Sequence, residues 1–179
     1  MKRRQSLQAA FGLFACSVIF GARQSARAGA FLPIAAPNWR ALPWNIKEAQ
    51  TEAHELDQGL IEKSWAYVDF WASWCAPCRL SFPFMNQLDA QFGKRGLKII
   101  AISVDKDPRK IASFLKQNPA NFQILWDSQG QAAKAFDLQA MPNAFLISPN
   151  QQIVMRHLGF RSSDAAELTR MIELRLRTS

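Results

Sequence analysis

The chain is poor in the residues that hold metal ions or staple a fold. Its 179 residues include three cysteines and two histidines. A zinc site needs about four ligands, and neither His54 nor His157 stands at ligand spacing to a cysteine or to the other histidine. A long Lys/Arg run, an internal repeat and a low-complexity tract are also missing. The formal charge of +8 is concentrated at the start: Lys2, Arg3, Arg4, Arg23 and Arg27 fall in the first 28 residues, which contain no acid. Without them 17 basic residues face 14 acidic ones, a net charge of about +3, which excludes nucleic acid as a partner on charge grounds. The length suffices for one domain with a proper core.

What the first 28 residues do contain is an address. Lys2-Arg3-Arg4 is a positive head, Leu7 to Gly21 is apolar apart from Gln8 and Ser17, and Ala26-Arg27-Ala28 offers small residues where a signal peptidase reads them. The apolar stretch is about 15 residues, short of the ~20 that span a bilayer. This favours a signal peptide cleaved after Ala28 over an N-terminal membrane anchor. Export puts the mature chain in a compartment where disulfides persist. If Cys16 leaves with the signal, only Cys75 and Cys78 remain, and two cysteines three residues apart serve local chemistry rather than cross-linking.

Residues 29–59 read as an extended lead segment rich in Pro, Ala and Trp that becomes polar and partly helical over 46–55, with a turn at Gly59. From residue 60 to 177 strands and helices alternate. Residues 66–71 are a buried strand. Ala76 to Phe92 has helical spacing at Leu80, Phe84, Leu88 and Phe92, with Pro83 expected to kink it. Leu97 to Val104 is a continuous apolar strand suited to a sheet centre. A helix from Asp107-Pro108 to about Gln117, a strand over 122–126 and a short helix over 131–136 follow. A hairpin turns at Pro149-Asn150, and a last helix spans 164–175 with Ser162 or Ser163 as cap. The order β-α-β-α-β-α-β-β-α predicts an α/β fold with a mixed, mostly parallel central sheet flanked by helices.

Trp74-Cys75-Ala76-Pro77-Cys78 sits where a strand ends and a helix begins. A helix N-terminus offers free N–H groups and the positive end of the macrodipole, and both stabilise a thiolate. Cys75 is therefore expected to ionise below the ~8.5 of a free thiol and to act as the nucleophile of disulfide exchange. Cys78, one turn further in, is placed to resolve the mixed disulfide. Pro77 suits the first helical turn. A copper(I) chaperone using the two sulfurs, and a binding module whose pair never cycles, remain open alternatives.

The segment YVDFWASWCAPC, Tyr67 to Cys78, resembles the active-site segment of the thioredoxin superfamily. Pro83 stands five residues after the second cysteine, Met141-Pro142 precedes a predicted strand where that family has its cis-proline loop, and Gly159 follows the last strand. Residues 97–160, with Asp105 and WDSQGQAAKAFDLQAMPNAFLIS, are most similar to exported thioredoxins of the TlpA/ResA type. That group has an extra helix and strand before the cis-proline, here about Asp107 to Trp126.

The resemblance implies a thioredoxin fold and a periplasmic thiol–disulfide oxidoreductase. It would reduce protein disulfides through a Cys75–Cys78 disulfide/dithiol cycle. Pro142 would join the catalytic set, and Trp74, Ala76, Pro77 and Met141 would meet the substrate. No cofactor or metal is implied. The partners implied are disulfides in apocytochrome c or in proteins assembling copper sites, and a membrane electron donor of the DsbD/CcdA kind. The chain departs from its subgroup at Asp69, where Asn is frequent, at Ser81, where Glu is frequent, and at Met141, where Thr, Val or Ile is commoner. Asp69 reads as a buried carboxylate beneath the pair, its pKa raised by burial, able to take the Cys78 proton.

Overall fold

The computed structural model describes residues 33–38, 40–43, 56–57 and 61–177. The proposed leader 1–28, the helix expected over 46–55 and the turn at Gly59 lie outside these residues. In chain order the elements are β1 (Ile34–Ala35), β2 (Arg40–Pro43), β3 (Leu56–Asp57), β4 (Trp65–Trp71), α1 (Ala76–Phe92), β5 (Leu97–Ser103), α2 (Pro108–Gln117), β6 (Gln123–Trp126), α3 (Gln131–Ala135), β7 (Asn143–Ile147), β8 (Gln152–Leu158) and α4 (Ala165–Arg177).

The strands form one sheet in the order β1-β8-β7-β4-β5-β6-β2-β3. The expected mostly parallel character holds only at its centre. Among the described residues β4–β5 and β5–β6 are parallel, and the other five pairings are antiparallel. The reason is connectivity. A parallel neighbour needs a crossover, which α1 and α2 supply, whereas β8 follows β7 through a tight hairpin that permits only antiparallel pairing. The lead segment adds to both edges: β1 joins β8, and β2 joins β6.

β4 shows how the period-2 pattern builds two cores. Tyr67 and Trp71 face one hydrophobic cluster with residues of α1, α2 and α4, while Ala66, Val68 and Phe70 face a second with α3. The apolar run Leu97–Ser103 lies between β4 and β6 as β5, buried on both faces except at Lys98. On the first face Trp71, Phe82 and Phe114 form a mutual aromatic group, with centroids 4.9 Å (Trp71–Phe82), 4.5 Å (Trp71–Phe114) and 4.9 Å (Phe82–Phe114) apart. This group joins the end of β4 to the first turns of α1 and to α2, just below the cysteines.

Two local expectations change. Leu80 is half exposed rather than in the buried stripe of α1, which is formed by Cys78, Ser81, Phe82, Phe84, Met85, Leu88 and Phe92. Steps of four residues drift about 40° each around a helix, so Leu80 and Phe92 stand about 120° apart. At the last helix, Ser162 and Ser163 belong to a 3-10 turn with Asp164. The Asp164 carboxylate reaches back to accept the Arg161 N–H at 2.8 Å, so the start of this segment is capped around Arg161 and not by either serine. Pro83, on the exposed side of α1, leaves the helix continuous from Ala76 to Phe92.

Phe145 tests the second core without touching the cysteines. Its ring centroid is 4.9 Å from Phe136 and 6.0 Å from Phe70. Phe145→Ala is expected to cost about 3–5 kcal/mol, read from a lowered urea midpoint at unchanged m-value. A loss below about 1 kcal/mol would contradict this packing.

Candidate active site at the start of helix α1

After Trp71 the chain leaves the sheet through a turn closed by the Cys75 N–H donating to the Ala72 carbonyl at 3.0 Å. Cys75 is then the N-cap of α1, in extended conformation, and Pro77 lies in the first turn. A side chain at an N-cap is directed at the amides of the second and third helical residues. Here the second is Pro77, which has no N–H, so the free donor of that set is the amide of Cys78. In the disulfide form the Cys75 side chain makes no cap hydrogen bond; reduced, a thiolate there would have that one backbone donor and the positive end of a 17-residue helix to favour it.

Cys75 and Cys78 form a disulfide, with an S–S distance of 2.00 Å and Cα atoms 5.3 Å apart. The junction is more closed than a bare strand–helix corner. Cys75 is 4% exposed and Cys78 fully buried, while Trp74 is 66% exposed and Ala76 is also open to solvent. Pro77 is half-buried. The outer sulfur is thus the one on Cys75, and its surface frame is Trp74 and Ala76.

The Met141–Pro142 peptide bond is cis. Pro142 is buried, and Met141 is half-buried against the same hydrophobic cluster that contains both cysteines. The Pro142 carbonyl accepts the Gly159 N–H at 2.8 Å. Gly159 has φ +72, a conformation in which glycine replaces a strained side chain. On the other side of this loop Arg156 donates to the Asp137 carbonyl at 3.0 Å and to Asn143 Oδ1 at 3.4 Å. The loop carrying Met141-Pro142 is therefore tied to β8 at both ends.

Asp69 is buried in the middle of the sheet at 1% exposure. Its Oδ2 accepts the Ser81 hydroxyl at 3.4 Å, and that hydroxyl also reaches the Cys78 carbonyl at 3.0 Å. Ser81 thus links the carboxylate to the helical turn that carries the second cysteine. Burial pushes the Asp69 pKa up to about 8, against a smaller lowering by the Ser81 hydrogen bond. Tyr67, two residues earlier on the same face, has its phenol pKa pushed well above the ordinary value by burial and then by the Asp69 charge.

Sequence reasoning did not find the set of contacts behind the turn. Asp105, 2% exposed, accepts from the Ser73 N–H at 2.7 Å, the Ser73 hydroxyl at 2.8 Å and the Ser103 hydroxyl at 3.1 Å. Its carbonyl accepts the Trp126 indole N–H at 2.7 Å. Asp105 had stood out only as part of a family resemblance. The usable signal was a polar Ser-Val-Asp ending an apolar strand, with a serine two residues before the first cysteine. Among the tryptophans near the site, Trp71 is core and Trp74 is surface, while Trp39 and Trp44 lie outside the described residues. Reduced, Cys75 and Cys78 would offer two thiolates to a soft metal; no group of three or more His, Cys, Asp or Glu suited to a metal occurs among the described residues.

Residues 35–156 match the AhpC/TSA family. The thiol-disulfide oxidoreductase ResA of Bacillus subtilis is 25% identical over 145 residues, spanning 81% of this chain and 75% of ResA. A Chlorobium tepidum crystal structure, assigned as a thiol:disulfide interchange protein DsbE, superposes with a TM-score of 0.72 at 33% identity, covering 80% of this chain and 96% of that one. Bacillus subtilis StoA shares the fold at 20% identity, with a TM-score of 0.60 over 75% of this chain and 97% of its own.

The burial of Asp69 has a consequence for stability. Its folded-state pKa of about 8 lies above the ordinary 3.8. Between those values the native state keeps a proton that the unfolded chain has released, so stability falls as pH rises. The contribution is whole below about 4 and levels off above about 8. Asp69→Asn, which cannot ionise, should match the wild type near pH 4 and exceed it increasingly up to pH 8 in urea titrations of the oxidised protein. Parallel pH curves for the two proteins would contradict a buried, proton-holding Asp69.

Proposed function

The chain belongs to the AhpC/TSA family, and we propose that it is an exported protein-disulfide reductase of the ResA/DsbE type, working through Cys75 and Cys78. Thiol–disulfide interchange is the activity its relatives carry. The observation that carries the reading is a cysteine pair at the N-cap and first turn of α1, already closed as a disulfide, with a buried carboxylate reaching its helix through Ser81.

In the reducing direction the cycle starts from the dithiol. The Cys75 thiolate attacks one sulfur of a substrate disulfide, and the other substrate sulfur leaves as a thiolate. Cys78 then attacks the Cys75 sulfur of the mixed disulfide, loses its proton to Asp69, and releases the second substrate thiol. The substrate gains two electrons and two protons, and the pair ends as the Cys75–Cys78 disulfide. A dithiol donor must reopen it. Trp74, Ala76 and Pro77 on one side and Met141-Pro142 on the other frame the place where the substrate disulfide docks.

The reducing direction is supported by what surrounds Cys75. A strongly oxidising pair needs extra stabilisation of its thiolate. The dipeptide between the cysteines is Ala76-Pro77, which adds no histidine and removes one backbone donor. Acting on exported proteins, such a pair draws electrons from a membrane donor of the DsbD/CcdA kind. Its targets are disulfides in apocytochrome c or in copper-site assembly proteins, in the periplasm, with residues 1–28 as signal or anchor.

Insulin reduction with dithiothreitol as donor tests the roles. Cys75→Ser is expected to abolish turnover, and Cys78→Ser to accumulate a mixed disulfide through Cys75 that traps the natural target from a periplasmic extract. Retained turnover in Cys75→Ser would remove that residue from the mechanism. Asp69→Asn should lose the rise in rate that the wild type shows as pH approaches about 8. An unchanged pH profile would remove Asp69 as the proton acceptor.

A further inference from the structure

Ser73 is the second residue of the turn that presents Trp74 and Cys75, and a single carboxylate takes both of its donors. The Asp105 oxygens accept the Ser73 N–H at 2.7 Å and its hydroxyl at 2.8 Å. Asp105 cannot yield, because it is itself held. The Ser103 hydroxyl donates to it at 3.1 Å, its own N–H donates to Ser103 Oγ at 3.2 Å, and its carbonyl carries the Trp126 indole. Two backbone bonds lock the same corner, Val104 N–H to the Trp71 carbonyl at 3.0 Å and Asp127 N–H to the Ser103 carbonyl at 2.8 Å. Rigidity therefore runs from the ends of β5 and β6, through one side chain, to the turn before the nucleophile.

A turn clamp alone does not require a carboxylate. A neutral acceptor would hold the Ser73 N–H, and burying an ionised group costs more than burying an amide. The distinguishing property of Asp105 is its charge. Two peptide steps separate Ser73 from Cys75, so their Cα atoms are at most ~7.6 Å apart. A unit negative charge on the order of 10 Å from a thiol, at an effective dielectric constant near 20, shifts it on the order of one pH unit. The sign is fixed: a like charge disfavours the thiolate, and a less stable thiolate makes the dithiol a better electron donor.

Other titratable groups on elements around the pair include Tyr67 and Asp69 on β4, Arg79 and Asp89 on α1, Arg156 and His157 on β8, and Lys106 after Asp105. His157 lies 3.5 Å from Asp164, and Lys106 donates to the Ser128 carbonyl at 2.9 Å. The cis-proline loop from Gln139 to Asn143 contributes none.

We propose that Asp105 is a positioning residue for the exchange reaction: through Ser73 it fixes the turn that aims Cys75, and its charge behind that turn holds the pair on the reducing side. The inference rests on the reading of Cys75 and Cys78 as an exchanging pair.

The test compares wild type, Asp105→Asn, Asp105→Ala, Ser73→Ala and Asp127→Asn. Asp127 is an equally buried carboxylate that accepts the Ala133 N–H at 2.8 Å and serves α3 instead of the turn. For each protein the dithiol–disulfide equilibrium constant against glutathione and the kcat and KM for insulin reduction are measured. At a pH above the Cys75 pKa, Asp105→Asn, nearly isosteric, should move the equilibrium about tenfold toward the dithiol, about 30 mV less reducing, with KM unchanged. Ser73→Ala should lower kcat severalfold while leaving the equilibrium constant within about twofold of wild type, since the charge remains. Asp105→Ala should show both effects; if it fails to fold, the two milder variants decide. Asp127→Asn should lower stability and move neither quantity. A wild-type equilibrium constant in Asp105→Asn, an unchanged kcat in Ser73→Ala, or the same shift in Asp127→Asn would overturn the proposal. Normal wild-type cycling in that case leaves the oxidoreductase reading intact, whereas a wild-type pair that never exchanges with glutathione overturns both.

Discussion

The structure turns on one hand-over, from the buried end of β4 to the N-terminus of α1 within four residues. Trp71 is fully buried and Cys75 already caps a helix, so the chain changes from sheet to helix geometry between them. A helix cannot satisfy its first amides internally, and the sequence places a sulfur where those amides converge. The surrounding contacts keep this corner in place. Trp71 packs with Phe82 and Phe114 from one side, and the Ala72–Cys75 turn is held from behind by Asp105. The cis-proline loop, tied to β8, completes the frame.

Two buried carboxylates are linked to this corner, and their surroundings differ. Asp69 receives one hydroxyl at 3.4 Å in an otherwise apolar setting, which favours its protonated form and suits it to accept and return a proton. Asp105 receives three donors, two of them from the residue that sets up the active turn. The first reaches the helical turn of Cys78 through Ser81, the second the turn before Cys75 through Ser73.

Much of this was legible along the chain because the informative signals were local. The apolar run of β5, the hairpin strand Gln152–Leu158 and the helix Ala76–Phe92 follow directly from periodicity and turn residues. The cysteine pair announced itself by spacing and by its strand–helix setting. What was not legible depends on separation or on angular drift. Ser73 and Asp105 are 32 residues apart and become partners only when β4 and β5 pair. Leu80 keeps the four-residue spacing but has rotated out of the stripe that Phe84 to Phe92 define. The antiparallel majority of the sheet comes from the lead segment and the hairpin, whose pairing partners no periodicity names.

The central claim is that Cys75 is the ionised, attacking sulfur because it sits at the helix end. The most direct measurement is the pH dependence of alkylation of the fully reduced wild-type protein by limiting iodoacetamide, with peptide mapping of the modified sulfur. The account predicts modification at Cys75 ahead of Cys78, with a midpoint below the ~8.5 of a free thiol. Preferential modification of Cys78, or a Cys75 midpoint at or above that of a free thiol, would contradict it.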